Sequence, residues 1–426
     1  MKSGFFKKIS TLLLSAILVI SMASCNSGTK DTSSSDVTES DSSTVSTGDG
    51  MTTDNSGVES TEGSTNATTA NQLTTKKPNT TASGVKPSST TKPSGSKTKI
   101  FKVEDYGAKG DGKTDDGVAI SKAIEAASED YTSGEKIVQF RANATYRVTS
   151  LPANNNANRL ILLYETDNVK IRGSNTKLLL RAPIRVAYFK DTTNCEMSGF
   201  VIDYSPKPFV KGKLIAKDTT KGTMDFQVNG DLGFSGSSWE APNPFFAFRN
   251  RRDERMHHMI SRYEKLGEGK YRMYLKSESL MHMSRSEPGE EFILPYANHS
   301  HVTGGAFEMT GNSEFRMENV RIMSAPEFGI GLRLNVGKMY FTNVDFKEDE
   351  SLGIHLVQWR DGFHVKDNTA PIIWTGCDIG PLGDDAFNLS AVNLNVNTVN
   401  ADQRTIGMTP AEGPVTRPDI KPGDDF

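Results

Sequence analysis

The chain has 426 residues, 24% of them charged, and a formal net charge of -3 at pH 7. Such a balance excludes a basic surface built for nucleic acid or for anionic lipid. Of the three cysteines, Cys25 belongs to the leader, while Cys195 and Cys377 read as buried small hydrophobes, a disulfide between them being the alternative.

The chain begins with Lys2, Lys7 and Lys8, then the apolar run from Leu12 to Ile20, then Ser21-Met-Ala-Ser-Cys25. This is the pattern of a signal peptide, too short for a spanning helix. Small residues directly before a cysteine resemble a bacterial lipobox. That resemblance implies cleavage before Cys25, acylation of its thiol and a lipid anchor on the outside of the bacterial membrane; plain secretion is the alternative. Residues 26–98 are rich in Ser, Thr, Gly, Asp and Lys and contain no aromatic residue. Such a segment buries too little apolar surface to offset chain entropy, so it is expected to be a disordered linker. As a flexible coil it would span roughly 45–50 Å, a suitable tether for an enzyme held off a cell surface.

The folded part is expected over residues 99–426. It opens with Asp105-Tyr-Gly-Ala-Lys-Gly-Asp-Gly-Lys-Thr-Asp-Asp116, where three glycines mark a tight loop. Asp115 or Asp116 is placed to cap a helix from Val118 to about Ala127. The loop fits neither an EF-hand nor a Walker motif, so it is expected to be structural, with the helix plugging the open end of a coil. The loop and helix closely resemble the N-terminal cap of pectin-lyase-like right-handed β-helix proteins, a superfamily that includes polygalacturonases and rhamnogalacturonases.

Short strand-like runs follow, from Ile137–Phe140 through Phe200–Ile202 and again from Phe315–Met317 through Ala386–Leu389. A Gly or Asn repeatedly precedes one: Gly173, Gly199, Asn319, Asn343 and Gly376. Intervals in the twenties, without a leucine-rich signature, predict stacked coils. The expected fold is therefore all-β: a right-handed parallel β-helix with a short N-terminal capping helix. The periodicity breaks at about 205–300, where Trp239, Phe245, Phe246 and Phe248 lie near the run Arg249-Asn-Arg-Arg-Asp-Glu-Arg255. This reads as an inserted antiparallel β subdomain, its arginines in a solvated loop with internal salt bridges. His257-His258 and His299-x-His301 invite a zinc reading, but no third ligand has convincing spacing, so no metal is expected.

The candidate chemistry lies in Asp361-Gly-Phe-His-Val365 and Gly383-Asp-Asp-Ala-Phe-Asn388. Asp361 and Asp384 are 23 residues apart, so one turn of coil would bring them to adjacent strands, ~4.8 Å apart. Strand alternation would turn Asp385 away unless Gly383 sits at a bend. Clustered carboxylates raise one another's proton affinity, so one can stay protonated while another stays ionised. That is the requirement for acid/base cleavage of a glycosidic bond. The plainer alternative is that these aspartates only cap turns.

Ile202-Asp-Tyr-Ser-Pro-Lys-Pro-Phe209, the insertion, Asn319-Val-Arg-Ile-Met-Ser-Ala-Pro326, Arg360-Asp-Gly-Phe-His364 and Gly383-Asp-Asp-Ala-Phe-Asn388 together resemble glycoside hydrolase family 110. The resemblance implies an inverting exo-α-galactosidase acting on terminal α-1,3-linked galactose. Family 28 polygalacturonases supply the mechanistic parallel, although Trp359-Arg360 replace their Asn-Thr and Ala386 replaces a cysteine. By that analogy Asp384 is the general acid, and Asp361 and Asp385 hold and deprotonate water, with acid and base about 6.5–9.5 Å apart. His364 and Asn388 would hydrogen-bond sugar hydroxyls and Trp359 would stack on a sugar face, unless all three serve packing. The expected partner is an oligosaccharide or polysaccharide, met by a monomer without a cofactor. Three alternatives stay open. They are polygalacturonase activity, a pectate-lyase-like enzyme in which the aspartates bind Ca2+, and a non-catalytic glycan-binding surface lipoprotein. The elements that follow this site in both families are not in the sequence, so it is expected to be a fragment of a longer protein.

Overall fold

Alternate side chains of an extended run point to opposite faces, so a short apolar run can bury only one side. Stacking such runs in parallel lets equivalent positions of successive turns meet. Phe101, Val138, Ile171, Met197, Met317, Phe341 and Trp374 follow one another in register across one sheet. Leu163, Phe189, Met309, Leu332, Val365 and Leu389 do the same across a second. All but the last of each row are buried, and together they form one continuous core.

These rows come from a computed structural model that describes residues 97–131, 134–242, 245–253, 256–297, 305–369, 371–391, 394–399 and 406–410. The expected signal peptide with Cys25, nearly all of the expected linker, and His299 with His301 lie outside the described residues. The first sheet has nine strands, among them Thr98–Lys102, Val169–Leu180, Glu196–Tyr204, Phe315–Ile322, Met339–Phe346 and Ile372–Thr375. The second has six: Arg159–Tyr164, Arg185–Lys190, Gly305–Thr310, Phe328–Arg333, Phe363–Lys366 and Phe387–Ser390. Among the described residues every pairing within these two sheets is parallel, so the chain is an all-β parallel β-helix, as expected.

The helix Gly117–Ser128 buries Ile120, Ala123, Ile124 and Ala127 against the first turns. Both aspartates before it work, on different partners. Asp115 Oδ1 accepts from the Gly117 amide at 3.2 Å, while its other oxygen takes the Thr149 and Ser150 hydroxyls at 2.6 Å each. Asp116, 1% exposed, ties the preceding loop by accepting from the amides of Lys109 and Gly110. The loop is structural.

Asparagines hold the corners. Asn319 and Asn343 adopt left-handed φ values of 54° and 50°, and Asn343 Nδ2 donates to Asn319 Oδ1 at 2.9 Å. A second, internal ladder was not anticipated. The Thr192 hydroxyl donates to Asn312 Oδ1 at 2.8 Å, Asn312 Nδ2 to Asn335 Oδ1 at 3.1 Å, and Asn335 Nδ2 to Asn368 Oδ1 at 2.7 Å.

Between Glu196–Tyr204 and Gly305–Thr310 the chain leaves the coil and builds a seven-stranded antiparallel sheet from Phe209–Asp218 to Glu291–Pro295. This subdomain has its own core, including Phe226, Phe245, Tyr263 and Phe292, and Leu356 and Trp359 from the coil complete it. The described arginines of the run are paired. Arg249 reaches Glu290 at 2.9 Å, Arg251 reaches Asp253 at 2.6 Å, and Arg252 reaches Glu348 and Glu350 at 2.5 and 3.0 Å. The Glu348 and Glu350 contacts join insertion to coil, which the local charge pattern did not reveal.

Candidate active site

Trp359-Arg360-Asp361-Gly362 leads into Phe363–Lys366, the penultimate described strand of the second sheet. The next strand, Phe387–Ser390, pairs Phe363 with Phe387 and His364 with Asn388. The Gly362 amide donates to the Asp385 carbonyl at 2.9 Å, and the Phe363 amide to Ala386 at 3.0 Å. In this ladder Asp361 therefore stands opposite Asp385, not opposite Asp384 as the 23-residue interval suggested.

Asp384 still joins the cluster, because the chain bends at Gly383 and Asp384. The bend requires glycine for closeness rather than for φ. A Cβ at Gly383 would lie 2.3 Å from the Trp359 carbonyl oxygen. With the two backbones pressed together, one oxygen each of Asp361, Asp384 and Asp385 falls within 4.8 Å of the others. These are nearest-oxygen separations, shorter than the about 6.5–9.5 Å between the carboxyl groups of an inverting acid/base pair.

The three carboxylates differ in environment. Asp361 is fully buried, Asp384 half-buried and Asp385 exposed. Burial raises the proton affinity of Asp384, the negative charges of Asp361 and Asp385 raise it further, and Arg360 works against them. His364 Nδ1 meets Asp361 Oδ2 at 2.5 Å. Asp361 Oδ1 is buried with no hydrogen-bond partner among the described residues.

The remaining expected site residues divide. His364, 8% exposed, is engaged first by Asp361 and packs on Phe328 at 4.6 Å between ring centres, yet it also lines an outer cavity. Asn388 is half-buried beside it in register. Trp359 is corrected: it is 3% exposed and lies 5.8 and 6.2 Å from the rings of Phe245 and Phe246, so it has no free face for a sugar. It is core because the insertion folds over it. His258 is buried, its Nε2 lies 2.9 Å from the Ser286 hydroxyl, and burial, with the neighbouring charges after it, pulls its pKa down to about 4. Among the described residues, the aspartates alone form a group of three His, Cys, Asp or Glu side chains able to meet one cation. Cys195 and Cys377 are both free, and Cys195 is buried.

Two supporting residues escaped the sequence reading. Gln358 donates from Nε2 to the Asp361 carbonyl, holding the turn before the strand. The Arg360 guanidinium lies 4.3 Å over the Phe328 ring and 3.7 Å from Glu327, on the rim of the cluster. Their places beside Trp359 and Asp361 were visible; the contacts of Arg360 depend on a neighbouring turn.

Residues 100–156 match the family described as rhamnogalacturonase A/epimerase, pectate lyase-like. No curated protein matches the sequence. A candidate glycosyl hydrolase from Parabacteroides merdae is 14% identical with a TM-score of 0.34, over 68% of this chain and 96% of that one. The A-module of the mannuronan C-5 epimerase AlgE4 from Azotobacter vinelandii is 14% identical with a TM-score of 0.31, over 67% of this chain and 59% of that one. The Streptococcus pneumoniae surface adhesin PfbA is 13% identical with a TM-score of 0.28, over 67% of this chain and 62% of that one. The coil architecture defines a parallel β-helix protein, and its first turns are similar to the pectate lyase-like family.

Proposed function

We propose that the chain is a carbohydrate-active glycoside hydrolase that removes terminal α-galactosyl units with inversion. The observation that carries this reading is the convergence of Asp361, Asp384 and Asp385 with the raised proton affinity of Asp384. Asp384, kept protonated, donates to the departing glycosidic oxygen. Asp361 and Asp385 orient water and take its proton. Asp361 is too buried to touch an anomeric carbon, and its unpartnered Oδ1 suits a small molecule such as water. With Asp361 ionised, the His364 Nδ1–H is the donor that fixes Oδ2, which makes His364 a positioning residue. Retention would instead need a covalent role for a carboxylate that can reach the sugar, and Asp385 is the exposed one.

The test is product release from a panel of α-galactosides and oligogalacturonides, with the anomer followed by NMR. β-Galactose released by the wild type, and a loss of about 10³-fold or more in Asp384→Asn, is the expected result. Turnover unchanged in Asp384→Asn removes that residue from the mechanism. α-Galactose as the first product replaces the inverting scheme by a retaining one. Silence across the panel favours the glycan-binding alternative.

One observation favours a second reading. Three carboxylates converge, and one oxygen of Asp361 lacks a partner among the described residues, a donor set suited to Ca2+ in a lyase. Chelator would abolish lyase turnover and its ultraviolet-absorbing product but leave hydrolysis intact. The leader pattern ending in Cys25 adds a lipid anchor at the outer membrane face. Acyl labelling that disappears in Cys25→Ala tests the anchor independently of activity.

A further inference from the structure

Successive turns of the second sheet align outward-facing side chains as well as core ones. Tyr188, Glu308, Gly331 and His364 form one outer row, each in register with the next. Gly331 contributes no side chain, so the floor drops between Glu308 and His364, and a cavity of about 320 Å³ opens there. At ~4.8 Å per strand, Glu308 lies ~10 Å from His364, beyond the space of the reacting sugar. His364 belongs to both places: it lines the cavity and grips Asp361.

The charges lining this cavity are unequally satisfied. The two oxygens of Glu308 are taken by buried guanidiniums, Arg159 at 2.6 Å and Arg185 at 3.1 Å. Outside the cavity lining, Arg360 faces Glu327. Beside them runs a row of Lys190, Thr310, Arg333 and Lys366, again in register. Arg333 lines the cavity and is half-buried, and its guanidinium has no ion pair or hydrogen bond among the described residues. A partly desolvated guanidinium without a counter-charge is costly to hold and strongly favours an incoming anion. Its planar fork of donors matches a carboxylate or a sulfate.

We propose that this cavity is a subsite for the sugar on the leaving side of the bond, and that Arg333 reads an acidic group on that sugar, a carboxylate or a sulfate ester. The orientation rests on the hydrolase reading above, which puts the terminal unit at the carboxylates and leaves the rest of the glycan to extend past His364. The recognition of the anion does not depend on turnover.

The test therefore uses binding. Calorimetric titration of Asp384→Asn protein compares α-galactosyl oligosaccharides matched except at the leaving-side sugar, which is neutral, uronic or sulfated. The acidic ligands bind at least about tenfold tighter than the neutral one, as a charge-assisted contact supplies. Adding Arg333→Gln lowers the ratio of acidic to neutral affinity about tenfold, and Arg333→Lys restores part of it. The uronic and sulfated arms show which anion is read. A parent protein without preference, a ratio unmoved by Arg333→Gln, or failure to bind any of the three ligands overturns the subsite. Preferential acidic binding with no hydrolysis by the wild type upholds it while overturning the hydrolase reading.

Discussion

Asp384 sets the pH behaviour. Its pKa is raised by burial and by two neighbouring carboxylates, and a general acid works only while protonated. Activity should therefore fall as pH rises through that raised value. Asp385→Asn removes one of the charges, so the alkaline limb of the profile should move to lower pH, alongside the loss of rate. A limb that stays in place would separate Asp385 from Asp384. Stability follows the same linkage. A folded-state pKa above the ordinary 3.8 favours folding below 3.8 and loses that contribution as pH rises through the folded value. Asp384→Asn should accordingly raise Tm at pH 7 relative to wild type but not at pH 3. Gly383→Ala forces its Cβ against the Trp359 carbonyl at 2.3 Å, so it should cost about 10²-fold in kcat through displacement of the aspartates. Equal kcat would show that the bend is not what assembles the site.

At the scale of elements, the internal asparagine ladder does what sheet bonds cannot, satisfying backbone groups where the chain turns between sheets. Asn335 is fully buried; its Oδ1 accepts from the Asn312 amide at 2.9 Å, and its Nδ2 donates to the Met309 carbonyl at 3.1 Å. Asn335→Ala leaves these groups without partners and should destabilise by about 1–3 kcal/mol for each group left unmade. Denaturant unfolding checks this; a change below about 0.5 kcal/mol would show that water replaces the amide. The strands themselves were legible from alternation and Gly or Asn punctuation, because Asn319 and Asn343 must supply left-handed corners. The ladder was not, since Asn312, Asn335 and Asn368 meet only after the turns stack.

For the whole molecule, two hydrophobic cores meet at Leu356 and Trp359, which belong to the coil in sequence and to the insertion in packing. This joint lies two residues before Asp361, so the insertion braces the candidate site. Trp359→Ala should cost about 3–5 kcal/mol and reduce kcat even where the protein stays folded. A variant destabilised to that extent but with full activity would show that bracing and chemistry are independent.

The sequence by itself determined the all-β coil, the antiparallel insertion and the three aspartates, because each rests on local pattern: alternation, a break in it, and carboxylates at a coil interval. It left Trp359 between stacking and packing, and the ladder pairing of Asp361 one residue off. Tertiary structure alone decided those, together with the His364–Asp361 contact and the place of Arg333 in the outer cavity. The physical reason is that burial, register and charge balance are sums over residues from different turns. A coil of unequal turns, where Met339 pairs with Ile372 but Phe315 with Met339, hides those sums from the linear order.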